Sequence, residues 1–285
     1  MTDLNEPEAP SALPQREVVY RHSVAVRLTH WINAVIFVLL LASGLRIFNY
    51  HAALYWGNDG HEGMPSLFSI ASGENPGAGR PTGVTTIMGH SFDTTGVLGV
   101  SYGVDGEAVA GAFPDWMILP GELGHARTVH FDAAWLLVFN GFVYLLAGLF
   151  SGHFRRDLLP AAKELAPRHV LADIWRHLRL RRAHGAAARH YNVLQKLAYV
   201  AVIFVLLPVM VLSGLTMSPG ATAAMPFLFD LFGGRQSART IHFLVTDLLV
   251  LFLLVHVIQV IITGAFNNMR AMITGRYAIP PETGK

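Results

Sequence analysis

Two histidines, His242 and His256, lie deep in the apolar run from Arg239 to Phe266. A helix rises ~1.5 Å per residue, so their spacing separates them by ~21 Å along its axis. At ~100° per residue the same spacing closes to within ~40° of four full turns, so both imidazoles leave one face. The run is long enough to cross a bilayer, for which about 20 residues suffice. Two metal-capable side chains on one face, one near each end of a ~30 Å hydrocarbon slab, suggest two stacked cofactors. The plainer alternative is a pair of unrelated polar residues turned into a bundle interior. His30 and His130, each near the start of another apolar block, are the candidate partners.

The elements that must position these residues follow from composition. Hydrophobic residues make up 52% of the 285 and charged residues only 14%, and the apolar positions gather into blocks, as in a membrane protein. There is no cysteine, which excludes iron–sulfur clusters, Cys-ligated zinc, c-type haem attachment and disulfides. The net charge of +2 carries no nucleic-acid signature, and where the charges sit matters more than their sum.

Residues 1–20 are rich in Pro, Glu and Ala and read as a flexible tail. No short apolar segment with a small-residue cleavage site opens the chain, so a cleaved signal peptide is not expected. Four spans are expected at about 26–48, 128–151, 192–217 and 240–266, within a membrane domain over 21–276, followed by a C-terminal tail at 277–285. Pro208 should kink the third span or sit at a locally opened turn.

Orientation follows from the basic residues. The connection 152–191 holds nine Arg or Lys against three acids, and the connection 49–127 holds two against eight. The positive-inside rule places 152–191 in the cytoplasm, together with both termini, and 49–127 outside. The basic run at 177–190 reads as a juxtamembrane anchor on anionic lipid rather than an RNA site. His30 then lies level with His256 on the inner side, and His130 with His242 on the outer side. Each pair can clamp one iron from opposite faces of a porphyrin. Two axial imidazoles leave iron no open position, which favours electron transfer over catalysis at the metal. Zinc fits less well, because each level offers two evident ligands and no nearby carboxylate or Cys set.

The four-span pattern and the His-x13-His of the last span resemble the bacterial cytochrome b561 and nickel-hydrogenase b-type cytochrome family, over roughly Tyr20 to Arg276. Relatives include the gamma subunit of formate dehydrogenase and the cytochrome b subunit of thiosulfate reductase. TTGVLG (94–99), GLTMSPG (214–220) and GRQSARTIHF (234–243) look most like the thiosulfate-reductase type. The resemblance implies two haem b groups, with His30, His130, His242 and His256 as axial ligands to the iron. It also implies a quinone site at YNVLQK (191–196), where Asn192 and Gln195 would meet the headgroup. The competing reading is that Asn192 and Gln195 cap the third span.

Arg127 and Arg239 each precede a histidine by three, and Arg46 ends the first span on the same side. They are candidates for haem propionates, against ordinary interfacial snorkelling. Asp247 points about 140° away from the histidine face, where an acid is costly and usually functional or paired. The remaining histidines, His51 and His153 among them, fall mostly in connections or at span ends, and most read as solvated side chains. There is no G-x-S-x-G, H-E-x-x-H or P-loop.

The expected fold is an all-α integral membrane protein, a four-helix bundle around two b-type haems in the bacterial inner membrane. The expected function is a membrane-anchoring subunit passing electrons between the quinone pool and a periplasmic oxidoreductase, such as a molybdenum enzyme, docked on the long acidic connection. A free-standing cytochrome that reacts with a small oxidant such as superoxide, and a non-redox metal transporter, are the rival readings.

Overall fold

A computed structural model describes residues 17–74, 80–103, 105–178 and 191–279. Most of the N-terminal tail, most of the basic run at 177–190 and residues 280–285 lie outside the described residues. Four helical segments are long and apolar enough to cross a membrane. The first, α1 (Val24–Asn49), starts at Ser23, whose hydroxyl accepts from the Val26 N–H. The second is α2 (Leu123–Phe150). The third runs from Val193 to Met217 as α4 (Val193–Ala201), a π-helical turn (Val202–Leu206) and α5 (Leu207–Met217). Pro208 cannot donate to the preceding turn, and the wider π turn sits immediately before it. The expected opening there takes this form.

The fourth is α8 (Arg235–Thr274), which follows the short helices α6 (Pro219–Ala224) and α7 (Phe227–Phe232). It breaks at Gly264, whose φ of 112° lies where L side chains are strained. Asn268 Nδ2 bonds the Val260 and Gly264 carbonyls and the Thr263 hydroxyl, satisfying groups the break releases. The segment after the break turns back beneath α1, where Arg27 bonds the Ile273 carbonyl and Trp31 Nε1 the Met272 carbonyl at 3.1 Å. Helix α1 packs along α2 and α5 along α8, whereas α1 and α8 touch at few points. The bundle is therefore two helix pairs facing each other.

The chain is mostly helical rather than all-α, and most of the difference lies in the connection 49–127. It folds into a four-stranded antiparallel sheet in the order β2 (Ala53–Leu54), β3 (Phe68–Glu74), β4 (Pro81–Ile87), β5 (His90–Asp93). A separate hairpin joins β6 (Gly99–Tyr102) to β7 (Ala108–Gly111). This cap has its own core of Phe48, Leu54, Ile70 and Ala112, against which Phe68, Phe113 and Phe243 pack. The TTGVLG stretch is its corner: Gly99, with φ 79°, passes so close to Gly83 and Ala71 that a Cβ would overlap backbone. Strands this short and rich in Gly and Thr show no apolar alternation long enough to read.

The cap is bonded to the ends of the bundle. Arg46 bonds the Gly121 carbonyl, and Asn49 pairs with both backbone groups of Phe113. The GRQSART stretch receives the other side: Gly57 donates to Ser237 Oγ at 2.7 Å and accepts from Gln236 and Ser237, while Thr240 donates to the Tyr55 carbonyl at 2.6 Å.

At the opposite end, β1 (Val18–Tyr20) pairs with β8 (Arg276–Ala278), so the two described chain ends lie together. The connection 152–191 folds against the same end through a π-helical turn (Phe154–Leu158) and α3 (Pro167–Leu178). Its three acids are all engaged. Asp157 meets His153 at 2.7 Å, Glu164 meets Lys196 at 2.9 Å, and Asp173 accepts from the Val193 N–H at 3.2 Å.

Candidate metal centres

The four histidines gather as two pairs at two levels. His130 of α2 faces His242 of α8 at the cap end, with ring centres 6.3 Å apart and planes inclined by 60°. His30 of α1 faces His256 of α8 at the far end, with ring centres 6.4 Å apart and planes inclined by 55°. An imidazole nitrogen binds a transition metal at about 2.0–2.1 Å, and the centre of its ring lies roughly 1.1 Å further back. Two imidazoles on opposite sides of one ion therefore have centres about 6.3 Å apart. Both levels match that span, so the residues present fit an iron held between two axial histidines. Among the described residues no group of three His, Cys, Asp or Glu gathers at one point. That donor set is too poor for a structural zinc.

The cap-end pair is oriented by its neighbours in the same way on both sides. Ser43 Oγ lies 3.0 Å from His130 Nδ1, and Ser213 Oγ lies 3.0 Å from His242 Nδ1. The Met210 carbonyl is 3.0 Å from His242 Nδ1, and the Leu40 carbonyl meets His130 in the corresponding position. Gly44 and Gly214 follow the serines, and a Cβ on either would stand 3.3 Å from the Cε1 of the facing imidazole. At the far level His30 Nδ1 is buried without a hydrogen-bond partner among the described residues, and Phe252 stacks on His256 at 5.9 Å.

The arginines are placed differently from one another. Arg239 donates to the His51 carbonyl and lies over the Phe48 ring at 5.4 Å, so its guanidinium ties α8 to the cap. Arg46 is likewise engaged with Gly121, and Arg127 is exposed. Asp247 lies on the outward face of α8 among the exposed Leu244, Leu248 and Leu251.

Asn192 and Gln195 form a capping box on α4: Asn192 Oδ1 accepts from the Gln195 N–H at 2.8 Å, and Gln195 Oε1 accepts from the Asn192 N–H at 3.2 Å. Both side-chain oxygens are thus used by the backbone. The capping reading of these two residues is therefore the one the geometry displays.

Sequence reasoning missed five side chains here. Ser43 and Ser213 are fully buried, and the signal that could have found them is the tripeptide SGL, present at both 43–45 and 213–215. Lys196 is buried and held by Glu164; nothing short-range in sequence marks that pair. His153 stands apart from the solvated majority of the remaining histidines. Its side chain is only 14% exposed, packed between Tyr144 and Phe154 and bonded to Asp157. His51 also departs from that majority, stacking on Tyr55 with its Nε2 buried.

The family model described as prokaryotic cytochrome b561 matches residues 21–275. A protein of Azospira oryzae, named as the YedZ1 subunit of a protein-methionine-sulfoxide reductase, is 38% identical over 162 residues, covering 57% of this chain and 77% of the relative. The Escherichia coli cytochrome YdhU is 63% identical over 35 residues, 12% of this chain and 13% of that protein. No solved structure matches. Four membrane-crossing helices, paired histidines and a match over nearly the whole length lead to one conclusion: the chain belongs to the prokaryotic cytochrome b561 family, the membrane b-type cytochromes of electron transport.

Proposed function

We propose that this chain is the di-haem membrane subunit of a larger oxidoreductase, carrying electrons between the quinone pool and a partner outside the bacterial inner membrane. The observation that carries this reading is the pair of 6.3 and 6.4 Å imidazole gaps stacked along α8. Haem b supplies one-electron chemistry at each level when bound. His30 and His256 would hold one haem and His130 and His242 the other, and iron held by two histidines would serve electron transfer rather than substrate binding.

The charge count turns the cap outward and the joined chain ends, with 152–191, toward the cytoplasm. On that orientation His130 and His242 form the outer level, and His30 and His256 the inner. The cap is acidic and presents Trp56, Tyr102 and Trp116, the last 83% exposed. Such aromatics suit a docking surface for a redox protein. The Azospira relative is named as a reductase subunit, which supports a reductase as partner and a subunit rather than a free-standing cytochrome. The notion of a thiosulfate-reductase-type molybdenum partner rests on resemblance of motifs. We assign the quinone to the inner level, near Asn192 and Gln195 at the start of the third span, a position supported by the resemblance of YNVLQK to the family's stretch.

Purified protein should contain two b-type haems per chain by reduced-minus-oxidised spectrum and haem assay. Membranes from the native host should yield it together with a periplasmic redox protein. A haem-free preparation would sink the reading. Full quinol oxidation by a small oxidant without any partner would favour the free-standing cytochrome.

A further inference from the structure

The duplication around the outer histidines is more than close packing. Ser43 donates its hydroxyl hydrogen to the Leu39 carbonyl at 2.6 Å, and Ser213 donates to the Met210 carbonyl at 3.1 Å. The same oxygens lie 3.0 Å from an imidazole Nδ1. Beside each Nδ1 also stands a carbonyl, Leu40 for His130 and Met210 for His242, which can only accept, so each Nδ1 carries the hydrogen and shares it between carbonyl and serine oxygen. The tautomer is fixed, and Nε2 of both rings presents a bare lone pair to the gap between them. Gly44 and Gly214 supply the room for the rings, since any side chain there would crowd Cε1. Four residues on two helices thus build the same cradle twice, on opposite sides of one gap.

A hydrogen bond from Nδ1–H makes the ring a stronger electron donor to a metal on Nε2. A stronger donor favours ferric over ferrous iron, and so lowers the reduction potential. His30, at the inner level, has no such partner on Nδ1 among the described residues. We propose that the Ser43-Gly44 and Ser213-Gly214 pairs are positioning residues for His130 and His242, orienting both imidazoles and lowering the reduction potential of the outer haem, an arrangement that His30 lacks. The inference rests on the assignment of His130 and His242 as ligands of one haem.

The test is a potentiometric titration with low-temperature EPR on the purified full-length protein and its Ser43→Ala, Ser213→Ala and double variants. The expected result is a rise of the outer midpoint by up to tenfold in the one-electron equilibrium, ~59 mV, largest in the double variant. The low-spin signal of the outer haem should shift and that of the inner haem should not. Thr216→Ala is the control: Thr216 is as deeply buried, but its hydroxyl bonds only the Leu212 carbonyl of its own helix. It should leave both midpoints in place. Gly44→Ala should displace the His130 ring and alter the outer signal even where the serine variants bind haem poorly. Selective loss of the outer haem in a serine variant would also support the cradle. Unchanged midpoint and EPR signal in the double variant, a shift confined to the inner haem, or loss of both haems together would overturn it. His130→Ala and His242→Ala keep the two claims apart. If both retain two haems, the ligand assignment itself has failed.

Discussion

Lys196 Nζ sits 2.9 Å from Glu164 Oε2 and 3.1 Å from Oε1, joining the start of the third span to a connection 32 residues earlier in the chain. Lys196 is buried while Glu164 is partly exposed. Removing the acid leaves an uncompensated ammonium at the membrane edge, whereas replacing the lysine by an apolar side chain leaves a carboxylate that water can reach. Glu164→Ala should therefore cost more than Lys196→Met, on the order of 1 kcal/mol after solvent screening, read as thermal stability in detergent. The Lys196 hydrogen bond, then that from the Ala161 N–H, holds the Glu164 carboxyl below its ordinary range. Its contribution is complete above the ordinary carboxylate value and is lost as pH falls through the lowered one. Equal losses in the two variants would mean that the pair adds nothing specific.

The ligand assignment makes a selective prediction. His130→Ala or His242→Ala should remove one haem and spare the other, and His30→Ala or His256→Ala should do the reverse. Haem per protein should fall from two to one in each case, with complementary residual spectra.

Sidedness can be read chemically because the chain has no cysteine. Ala108 on the cap and Ala162 in the connection beyond the second span are both exposed. An impermeant thiol reagent applied to cells with a permeabilised outer membrane should label Ala108→Cys and not Ala162→Cys. The opposite pattern would invert the bundle.

The quinone site can be separated from helix capping. Asn192→Asp and Gln195→Glu keep the oxygens that the capping box uses and remove the NH2 donors. If these donors hold a headgroup, quinol affinity should fall by up to about tenfold, since a neutral hydrogen bond is worth ~0.5–1.5 kcal/mol. Haem content and thermal stability should hold. Rapid-mixing reduction by a quinol analogue at several concentrations measures this, and an unchanged concentration dependence in both variants would move the quinone elsewhere.

At the joined chain ends, burial above all, and then the charges of Arg21, His30, His153 and Arg27, push His22 down to about 4. The unfolded chain therefore binds the extra proton between about pH 6.5 and 4, and stability falls as pH drops through that window. In His22→Gln the unfolding temperature should fall less between about pH 7 and 5 than in the wild type. Parallel curves would show that His22 is not responsible.

What could be read from sequence was what physics repeats over many residues. Four apolar runs each span a bilayer, and a 14-residue step puts His242 and His256 on one face. Neither conclusion depends on a distant partner. The cap strands were not legible because β5, HSFD, is exposed along its whole length and β4, PTGVTTI, mixes Gly and Thr through its short run. Ser43 and Ser213 were hidden for another reason: a serine in a membrane helix ordinarily bonds its own backbone, and only the facing imidazole distinguishes these two. Lys196 meets its acid only through the fold, because Glu164 lies 32 residues away in the chain.

Helix α8 is unbroken from Arg235 to Thr263, and the only irregular residue, Gly264, falls beyond His256. One stiff rod therefore supplies an imidazole to both levels and acts as the gauge of their separation. An insertion of one residue between Phe243 and Val255 would swing His256 by ~100° and leave His30 facing a different side chain. Seven residues would nearly restore the direction, within ~20° of two turns, but would move the level ~10.5 Å along the axis, away from the start of α1. Length changes in this stretch are thus barred by angle or by height.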